Sequence, residues 1–132
     1  MQEQIFSYRV YYEDTDAGKI VYYANYLKFF ERARTDFLRA LNISQSDLVT
    51  KENVIFVVRK CEIEYLSPAR LDDVLEVSVE VKEISAASIR MYQEAKKSGA
   101  VSSRLNVEIV CVDGDSFRPK KIPQSLLSCL IL

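Results

Sequence analysis

One long amphipathic segment constrains the fold of this chain more than any other feature. Between residues 23 and 41, apolar side chains recur at every third or fourth position, which is the spacing of one face of an α-helix. Charged and polar residues occupy the opposite face, and the segment is long enough for about five turns. The apolar positions are Tyr23, Tyr26, Leu27, Phe30, Ala33, Phe37, Leu38 and Leu41. Such a helix must bury its apolar face, so the rest of the chain has to supply a second layer.

Strand patterns flank this helix on both sides. Residues 6–12 alternate between apolar and polar side chains and predict one strand before the helix. After residue 54 the period of two returns in successive runs, and Lys97-Ser98-Gly99 has the composition of a hairpin turn between two of them. A helix followed by consecutive strands predicts an α+β fold with a largely antiparallel sheet.

The first strand after the helix is predicted to present one alternating set of residues to a single face: Val57, Arg59, Cys61, Ile63 and Tyr65. Cys61 and Cys111 both lie in apolar strand-like runs, so we expect two buried, reduced thiols. Three shorter signals complete the pattern. They are a left-handed helix end at Asn42, a short helix begun by Ser44 and Asp47, and a C-terminal helix begun by Pro123.

Length and charge narrow the class of protein. The 132 residues predict a single domain, residues 1–132, able to bury a core without a disulfide or a metal. A net charge of −1 gives no field for a polyphosphate backbone, which excludes a general nucleic-acid binder. No secretory signal is visible, and the longest apolar run, residues 126–132, is far shorter than the ~20 residues of a membrane span. We therefore expect a cytoplasmic protein without stable membrane insertion.

The chain contains no histidine. Ser-His-Asp and Cys-His hydrolases, His-ligated zinc enzymes and His-based dehydratases all require an imidazole. Any acid–base chemistry must therefore use carboxylate, Tyr, Lys or Cys side chains. Asp14 and Asp16 are not accompanied by a further cluster of hard ligands, so no metal site is predicted.

Two ordered blocks of sequence resemble a known family. The first comprises residues 11–18 (YYEDTDAG), 20–26 (IVYYANY) and 30–34 (FERAR). The second comprises residues 56–60 (FVVRK) and 65–73 (YLSPARLDD). Together they resemble the 4-hydroxybenzoyl-CoA thioesterase family and are most similar to its Tol-Pal-associated bacterial acyl-CoA thioesterases. The resemblance spans roughly residues 8–123.

This resemblance implies a fold, an activity and an assembly. The expected fold is the hotdog fold, in which a curved, largely antiparallel sheet of five or six strands wraps a long central helix. The expected reaction is hydrolysis of acyl-CoA to free acid and CoA without a cofactor, although an acyl-carrier protein is left open as an alternative carrier. Family members form homodimers or homotetramers with active sites at the subunit interface.

By the same resemblance, Asp16 is the catalytic carboxylate. It precedes the predicted helix, where free backbone N–H groups and the helix dipole favour negative charge. Those N–H groups would also stabilise the oxyanion that develops on a thioester carbonyl. Asp16 would act either as a nucleophile, giving a mixed anhydride, or as a general base that activates water.

The substrate-binding candidates are Gly18, Tyr23, Arg59 and Lys60. Gly18 either lets the backbone approach the substrate or serves as a simple turn residue. Tyr23 stands where the Tol-Pal branch usually has His and the 4-hydroxybenzoyl-CoA type has Tyr, so it either meets the substrate or packs as an aromatic. Arg59 and Lys60 are candidates to contact the CoA phosphates, as are Arg70, Arg118, Lys120 and Lys121.

Two alternatives stay open. Glu31 is a rival catalytic carboxylate, because a related thioesterase branch uses a helical Glu, but Arg34 three residues later predicts an ordinary ion pair instead. The chain could also be a non-catalytic hotdog module that binds acyl-CoA or an acyl-carrier protein. The intact Asp16 argues against that reading, whereas Tyr23 in place of His keeps it open.

Overall fold

One five-stranded sheet dominates the computed structural model, which describes residues 3–130. Its strand order is β1-β3-β4-β5-β2, and every neighbouring pair is antiparallel. Strands β1 and β2 therefore form the two edges. The strands are β1 (Gln4–Arg9), β2 (Val54–Tyr65), β3 (Val74–Ile84), β4 (Ser88–Lys97) and β5 (Ala100–Asp113). The α+β prediction with a largely antiparallel sheet is confirmed.

The long helix α1 (Tyr26–Ala40) lies across one face of the sheet, against β3, β1 and β4. It begins three residues later than predicted, because Tyr23–Asn25 forms a 3₁₀ turn. The predicted apolar face also needs correction: Phe29 is fully buried, whereas Leu27 is 42% exposed. At about 100° per residue, Phe29 lies nearer to the middle of the buried stripe than Leu27 does.

Strand β2 departs from the predicted alternation. Its register against β5 shifts between Val58 and Lys60, which marks a β-bulge. Phe56 and Ile63 both pack against the core. They lie seven positions apart, and on a regular strand an odd spacing would place them on opposite faces. The prediction that residues 57–65 show one alternating face is therefore wrong, because the extra residue of a bulge moves later side chains to the other face.

The two predicted buried thiols have different outcomes. Cys111 on β5 is fully buried, as expected. Cys61 is exposed, which corrects the prediction. Strand β2 is an edge strand, and most of its length is left uncovered by α1. An apolar run in sequence therefore did not guarantee burial.

The shorter predicted features are present. Asn42 is left-handed, with φ 62°. Ser44 accepts a hydrogen bond from the Asp47 N–H at the start of α2 (Gln45–Asp47). Pro123 directly precedes α3 (Gln124–Leu130). Ser98 and Gly99 form the β4–β5 hairpin turn, both with positive φ. The first strand is displaced, however, because β1 ends at Arg9 and a 3₁₀ turn, Tyr12–Asp14, follows it.

The hydrophobic core lies between α1 and the concave side of the sheet. Its largest fully buried members include Phe29 and Phe30 from the helix, Leu75 from β3, Ile89 from β4 and Leu105 from β5. Helix α3 adds Leu126, which is also fully buried. Within the part of the chain that the structure describes, no helix combines the length and apolar character needed to cross a membrane.

Candidate active site

Asp16 lies on a tight hairpin between β1 and α1. Thr15 and Val21 form an antiparallel bridge, and the Asp16 N–H donates to the Ile20 carbonyl at 3.0 Å. The Lys19 N–H donates back to the Asp16 carbonyl at 2.9 Å, and Lys19 itself is left-handed, with φ 64°. This hairpin fixes the backbone of Asp16 but leaves its side chain exposed.

The Asp16 carboxylate is oriented by Gly18. The Gly18 N–H donates to Asp16 Oδ1 at 2.8 Å. A Cβ atom on residue 18 would lie 3.1 Å from the same oxygen, which is closer than ordinary van der Waals contact. A side chain at position 18 would therefore crowd the carboxylate.

Asp14 anchors the hairpin on its buried side, a role that the sequence did not predict. Its side chain is 5% exposed, and its Oδ2 accepts a hydrogen bond from the Tyr11 N–H at 2.8 Å. Its carbonyl accepts from the Tyr22 N–H at 3.0 Å and from Asn25 Nδ2 at 2.9 Å. Asp14 therefore ties the strand end to the start of the helix.

Within residues 3–130, no group of three or more His, Cys, Asp or Glu side chains could hold a metal ion.

Two backbone donors are free where the 3₁₀ turn begins. Among the described residues, the N–H groups of Tyr23 and Ala24 have no hydrogen-bond acceptor, whereas the Asn25 N–H donates to the Tyr22 carbonyl at 2.8 Å. Unpaired N–H groups are normal for the first turn of a helix. They follow directly after Tyr22, which pairs with Asp14 in the hairpin that carries Asp16.

Tyrosine rings surround this turn. Tyr23 packs on Tyr22 with ring centroids 4.9 Å apart, and it meets Tyr65 edge-on at 6.0 Å. The neighbouring Tyr23 hydroxyl raises the pKa of Tyr22, and the negative charge of Asp16 adds to the same effect. Tyr23 is 61% exposed, so it is not a core aromatic. Its side chain lies at the surface between Tyr22 and Tyr65.

The second recognisable block of sequence adjoins the first. The Val21 N–H donates to the Ala69 carbonyl at 2.8 Å, and Ile20 bridges to Arg70. Tyr26, which is 3% exposed, hydrogen-bonds Ser102 through its hydroxyl at 2.8 Å. The loop after β2 thus supports the hairpin that carries Asp16, and the two blocks lie side by side in the fold.

Glu31 and Arg34 do not form the predicted ion pair. Glu31 accepts a hydrogen bond from Thr35 at 3.2 Å. Arg34 donates to Gln93 Oε1 at 2.9 Å, and burial lowers the pKa of its guanidinium while Glu31 opposes that change. The prediction failed because residues three apart can meet on a helix but Arg34 finds a buried partner on β4 instead. Glu31 lines a groove of about 180 Å³ between α1 and the sheet, with Leu38, Phe56, Ile109 and Leu126.

The candidate phosphate-contacting cations are dispersed. Arg70 adjoins the Asp16 hairpin through its bridge to Ile20. Arg59 and Lys60 are at the bulge of edge strand β2, and both side chains are 70% exposed. Arg59 pairs with Glu108 at 3.6 Å, and Lys60 pairs with Glu62 at 3.6 Å. Within residues 3–130, no hydrogen bond or ion pair joins either cation to the Asp16 hairpin.

Comparisons with known proteins identify the family of this chain. The sequence profile of the Thioesterase-like superfamily matches residues 10–130. The chain is 44% identical over 121 residues to the acyl-CoA thioesterase YbgC of Haemophilus influenzae, covering 92% of this chain and 89% of that protein. A probable thioesterase from Bartonella henselae has a similar crystal structure, with a TM-score of 0.89 and 32% identity, covering 92% of this chain and all of that one.

A more distant structure supports the fold alone. The 1,4-dihydroxy-2-naphthoyl-CoA thioesterase of Synechocystis has a TM-score of 0.91 at 20% identity, over 98% of this chain and 96% of that one. The antiparallel sheet around α1 is therefore the hotdog fold that the sequence predicted. The chain belongs to the Thioesterase-like superfamily.

Proposed function

We propose that this protein hydrolyses acyl-CoA thioesters to free acid and CoA, with Asp16 as the catalytic carboxylate. The observation that carries the proposal is the presence of two features in one segment, on the Asp16 hairpin and on the turn that follows it. An exposed carboxylate is oriented by the Gly18 N–H, and two unpartnered N–H groups open the following turn. Superfamily membership and 44% identity to an acyl-CoA thioesterase make thioester hydrolysis the reaction class.

The two N–H groups supply electrostatic catalysis. A thioester carbonyl placed against the Tyr23 and Ala24 N–H groups would have its oxygen stabilised as negative charge develops. Removing one such donor from an acyl-transfer enzyme costs about 10²–10³ in rate. A side chain at position 23 is not needed for this role, so Tyr in place of His leaves these donors intact.

Asp16 can then act by either of two routes. As a nucleophile, one carboxylate oxygen bonds to the carbonyl carbon, the C–S bond breaks, and CoA leaves as a thiolate that takes a proton from water. Water then hydrolyses the resulting mixed anhydride. As a general base, Asp16 takes a proton from a water molecule whose oxygen adds to the carbonyl carbon. The tetrahedral oxyanion then expels CoA as a thiolate, which takes that proton from Asp16. Both routes use the same exposed carboxylate and the same two N–H donors.

The complete site requires a second subunit in this proposal. Edge strand β2 is 12 residues long, and its free side carries unpaired backbone groups that another strand can satisfy. Exposed apolar side chains at Val58, Tyr65 and Leu66 lie on or beside it. Pairing of two copies in a homodimer or homotetramer would bring Arg59 and Lys60 of the partner towards the CoA phosphates.

A second candidate function is a non-catalytic module that binds acyl-CoA or an acyl-carrier protein. The identity of residue 23 favours it, since an exposed phenol replaces the imidazole usual in the branch that the sequence most resembles. The carrier of the acyl group, the acyl chain itself and the cytoplasmic location stay predictions.

A panel of acyl-CoA esters with aliphatic and aromatic acyl groups tests the proposal. Release of free CoA is followed with a thiol-reactive dye, and binding is measured on the same samples by calorimetry. We expect thiol release with at least one acyl class. Binding without release across the whole panel would support the non-catalytic module and overturn the proposed hydrolysis.

A further inference from the structure

We propose that Tyr65 is a positioning residue for this reaction, and that its hydroxyl holds the peptide group between Tyr23 and Ala24. Held in this way, the Ala24 N–H becomes a second oxyanion donor beside the Tyr23 N–H. The inference rests on the proposed thioester hydrolysis and extends it to a residue on the edge strand of the sheet, more than 40 positions away in sequence.

The first step is a hydrogen bond to the carbonyl of the peptide. Tyr65 Oη donates to the Tyr23 carbonyl oxygen at 3.1 Å, and the same oxygen also accepts from the Tyr26 N–H. The Tyr23 carbonyl and the Ala24 N–H are opposite ends of one planar peptide group. Fixing the oxygen therefore fixes the direction of the N–H. Hydrogen bonds at the oxygen also polarise the group and strengthen its N–H as a donor.

The second step is the rigidity of the support. The Tyr65 ring meets Tyr23 edge-on at 6.0 Å and Tyr26 at 5.6 Å. Tyr26 is buried, its hydroxyl bonds Ser102 at 2.8 Å, and it accepts from the Ala69 N–H at 3.3 Å. Tyr65 thus rests on a ring that is tied to β5 and to the loop after β2. A donor supported in this way holds its acceptor in one orientation.

The third step is that the Tyr65 hydroxyl keeps its proton. Partial burial raises the pKa of Tyr65, and the neighbouring Tyr23, Cys61 and Tyr26 raise it further. An ordinary tyrosine already titrates near pH 10, so this phenol stays a donor throughout the neutral range.

A purely structural role does not account for this arrangement. Tyr65 is 44% exposed, so it contributes less to the core than a buried aromatic residue would. Its hydroxyl is directed at the carbonyl of the turn that carries the two free N–H groups. The hydrogen bond therefore orients that turn.

The test compares Tyr65→Phe with Tyr92→Phe. The first variant keeps the ring and removes only the hydroxyl. The second removes a tyrosine hydroxyl that bonds Glu94 at 2.8 Å. The next residue, Gln93, bonds helix α1, and adjacent strand residues point to opposite faces, so Tyr92 lies on the face of β4 away from the helix. We expect Tyr65→Phe to lower kcat about three- to tenfold, the worth of one hydrogen bond, with KM and Tm unchanged. Tyr92→Phe should match the native protein.

An NMR measurement separates positioning from stability. In ¹⁵N-labelled protein, Tyr65→Phe should shift the Ala24 amide resonance, because that nitrogen belongs to the peptide whose carbonyl loses its partner. An unshifted Ala24 resonance, or a native kcat in an active enzyme, would overturn the inference. A fall in kcat that only follows a lowered Tm would overturn it as well. If the native protein itself releases no thiol from any acyl-CoA, it is the proposed function that fails.

Discussion

Asp14 and Asp16 have the same side chain and lie two positions apart, yet the fold gives them opposite tasks. Asp14 is buried and uses its carboxylate to accept the Tyr11 N–H, whereas Asp16 is exposed and is met by the Gly18 N–H. Both residues belong to one hairpin, in which the backbone of Asp16 pairs with Ile20 and the Asp14 carbonyl accepts the Tyr22 N–H. Of the two side chains, only that of Asp14 is buried. At the scale of single residues, environment rather than residue type therefore separates a buried structural carboxylate from an exposed one.

Replacing Asp16 by Asn tests the catalytic assignment. The amide keeps the shape and can still accept the Gly18 N–H, but it carries no charge and is a poor base or nucleophile. We expect kcat to fall at least about 100-fold with Tm unchanged. Steady-state kinetics and thermal unfolding measure both quantities. Glu31→Gln is the matched control and should stay near native activity; the opposite ranking of the two variants would move the catalytic role to Glu31.

Replacing Gly18 by Ala tests how closely the carboxylate must be placed. The added Cβ would come 3.1 Å from Asp16 Oδ1, so the side chain must move by a few tenths of an ångström. Small misplacements of reacting groups are expensive, and we expect kcat to fall about tenfold without loss of folding. Native kcat in a folded Gly18→Ala protein would show that Gly18 is only a turn residue.

At the scale of elements, the loop after β2 links the site to the sheet. Asp73 in that loop accepts the Arg70 N–H at 2.7 Å and pairs with Lys97 of β4 at 3.0 Å. Its carbonyl accepts the Val10 N–H at 2.8 Å, which attaches the end of β1. One residue therefore connects two strands and the segment that supports the Asp16 hairpin.

This loop should make stability depend on acid. Partial burial alone would raise the pKa of Asp73, but the Arg70 N–H and Lys97 hold it below its usual range. Its contribution is therefore present above about pH 4, the pKa of an unfolded Asp, and is lost as pH falls through the lower folded pKa. We expect Asp73→Asn to lower the free energy of unfolding by up to about 1 kcal/mol at pH 7, and by less at pH 3.

Urea unfolding at the two pH values measures this difference. Asp72→Asn serves as the control. Its side chain has no hydrogen bond or ion pair among the described residues, and Asn tolerates the positive φ of 70° at this position. An equal loss of stability at pH 7 and pH 3 for Asp73→Asn would count against an ionised Asp73.

At the scale of the whole molecule, the sheet leaves its longest edge uncovered. Strand β2 has 12 residues, against six for the other edge strand, β1. Long open edges are sites of pairing with another chain. Arg59 and Lys60 lie on this edge. In the proposed assembly, a partner subunit would bring these cations to the site that contains Asp16.

Mixed dimers test whether the site is shared between subunits. Asp16→Asn and the double variant Arg59→Ala, Lys60→Ala are each prepared alone and then co-expressed. If the cations act across the interface, each mixed dimer contains one site with every native residue, so activity at low substrate should return. If Asp16 and the cations act within one subunit, no native site forms and activity stays low. Light scattering must show at least a dimer in the active sample.

Much of this protein was determined by local sequence. The spacing of Phe30, Ala33 and Phe37 predicted the long helix, since a helix presents a face every three to four residues whatever its surroundings. Asn42 and Pro123 marked helix ends for equally local reasons. The segment around Asp16 was recognised from the order of its residues alone. Such predictions succeed only where a residue's neighbours along the chain decide its environment.

Tertiary structure decided the rest. The bulge near Arg59 reversed the faces of β2, the edge position of that strand exposed Cys61, and Gln93 drew Arg34 away from Glu31. Each outcome depends on a strand that is distant in sequence. The same holds for Tyr65, whose hydroxyl meets the Tyr23 carbonyl only because β2 passes the start of the helix. Periodicity reports which faces an element has; only packing decides which of them are covered and what they meet.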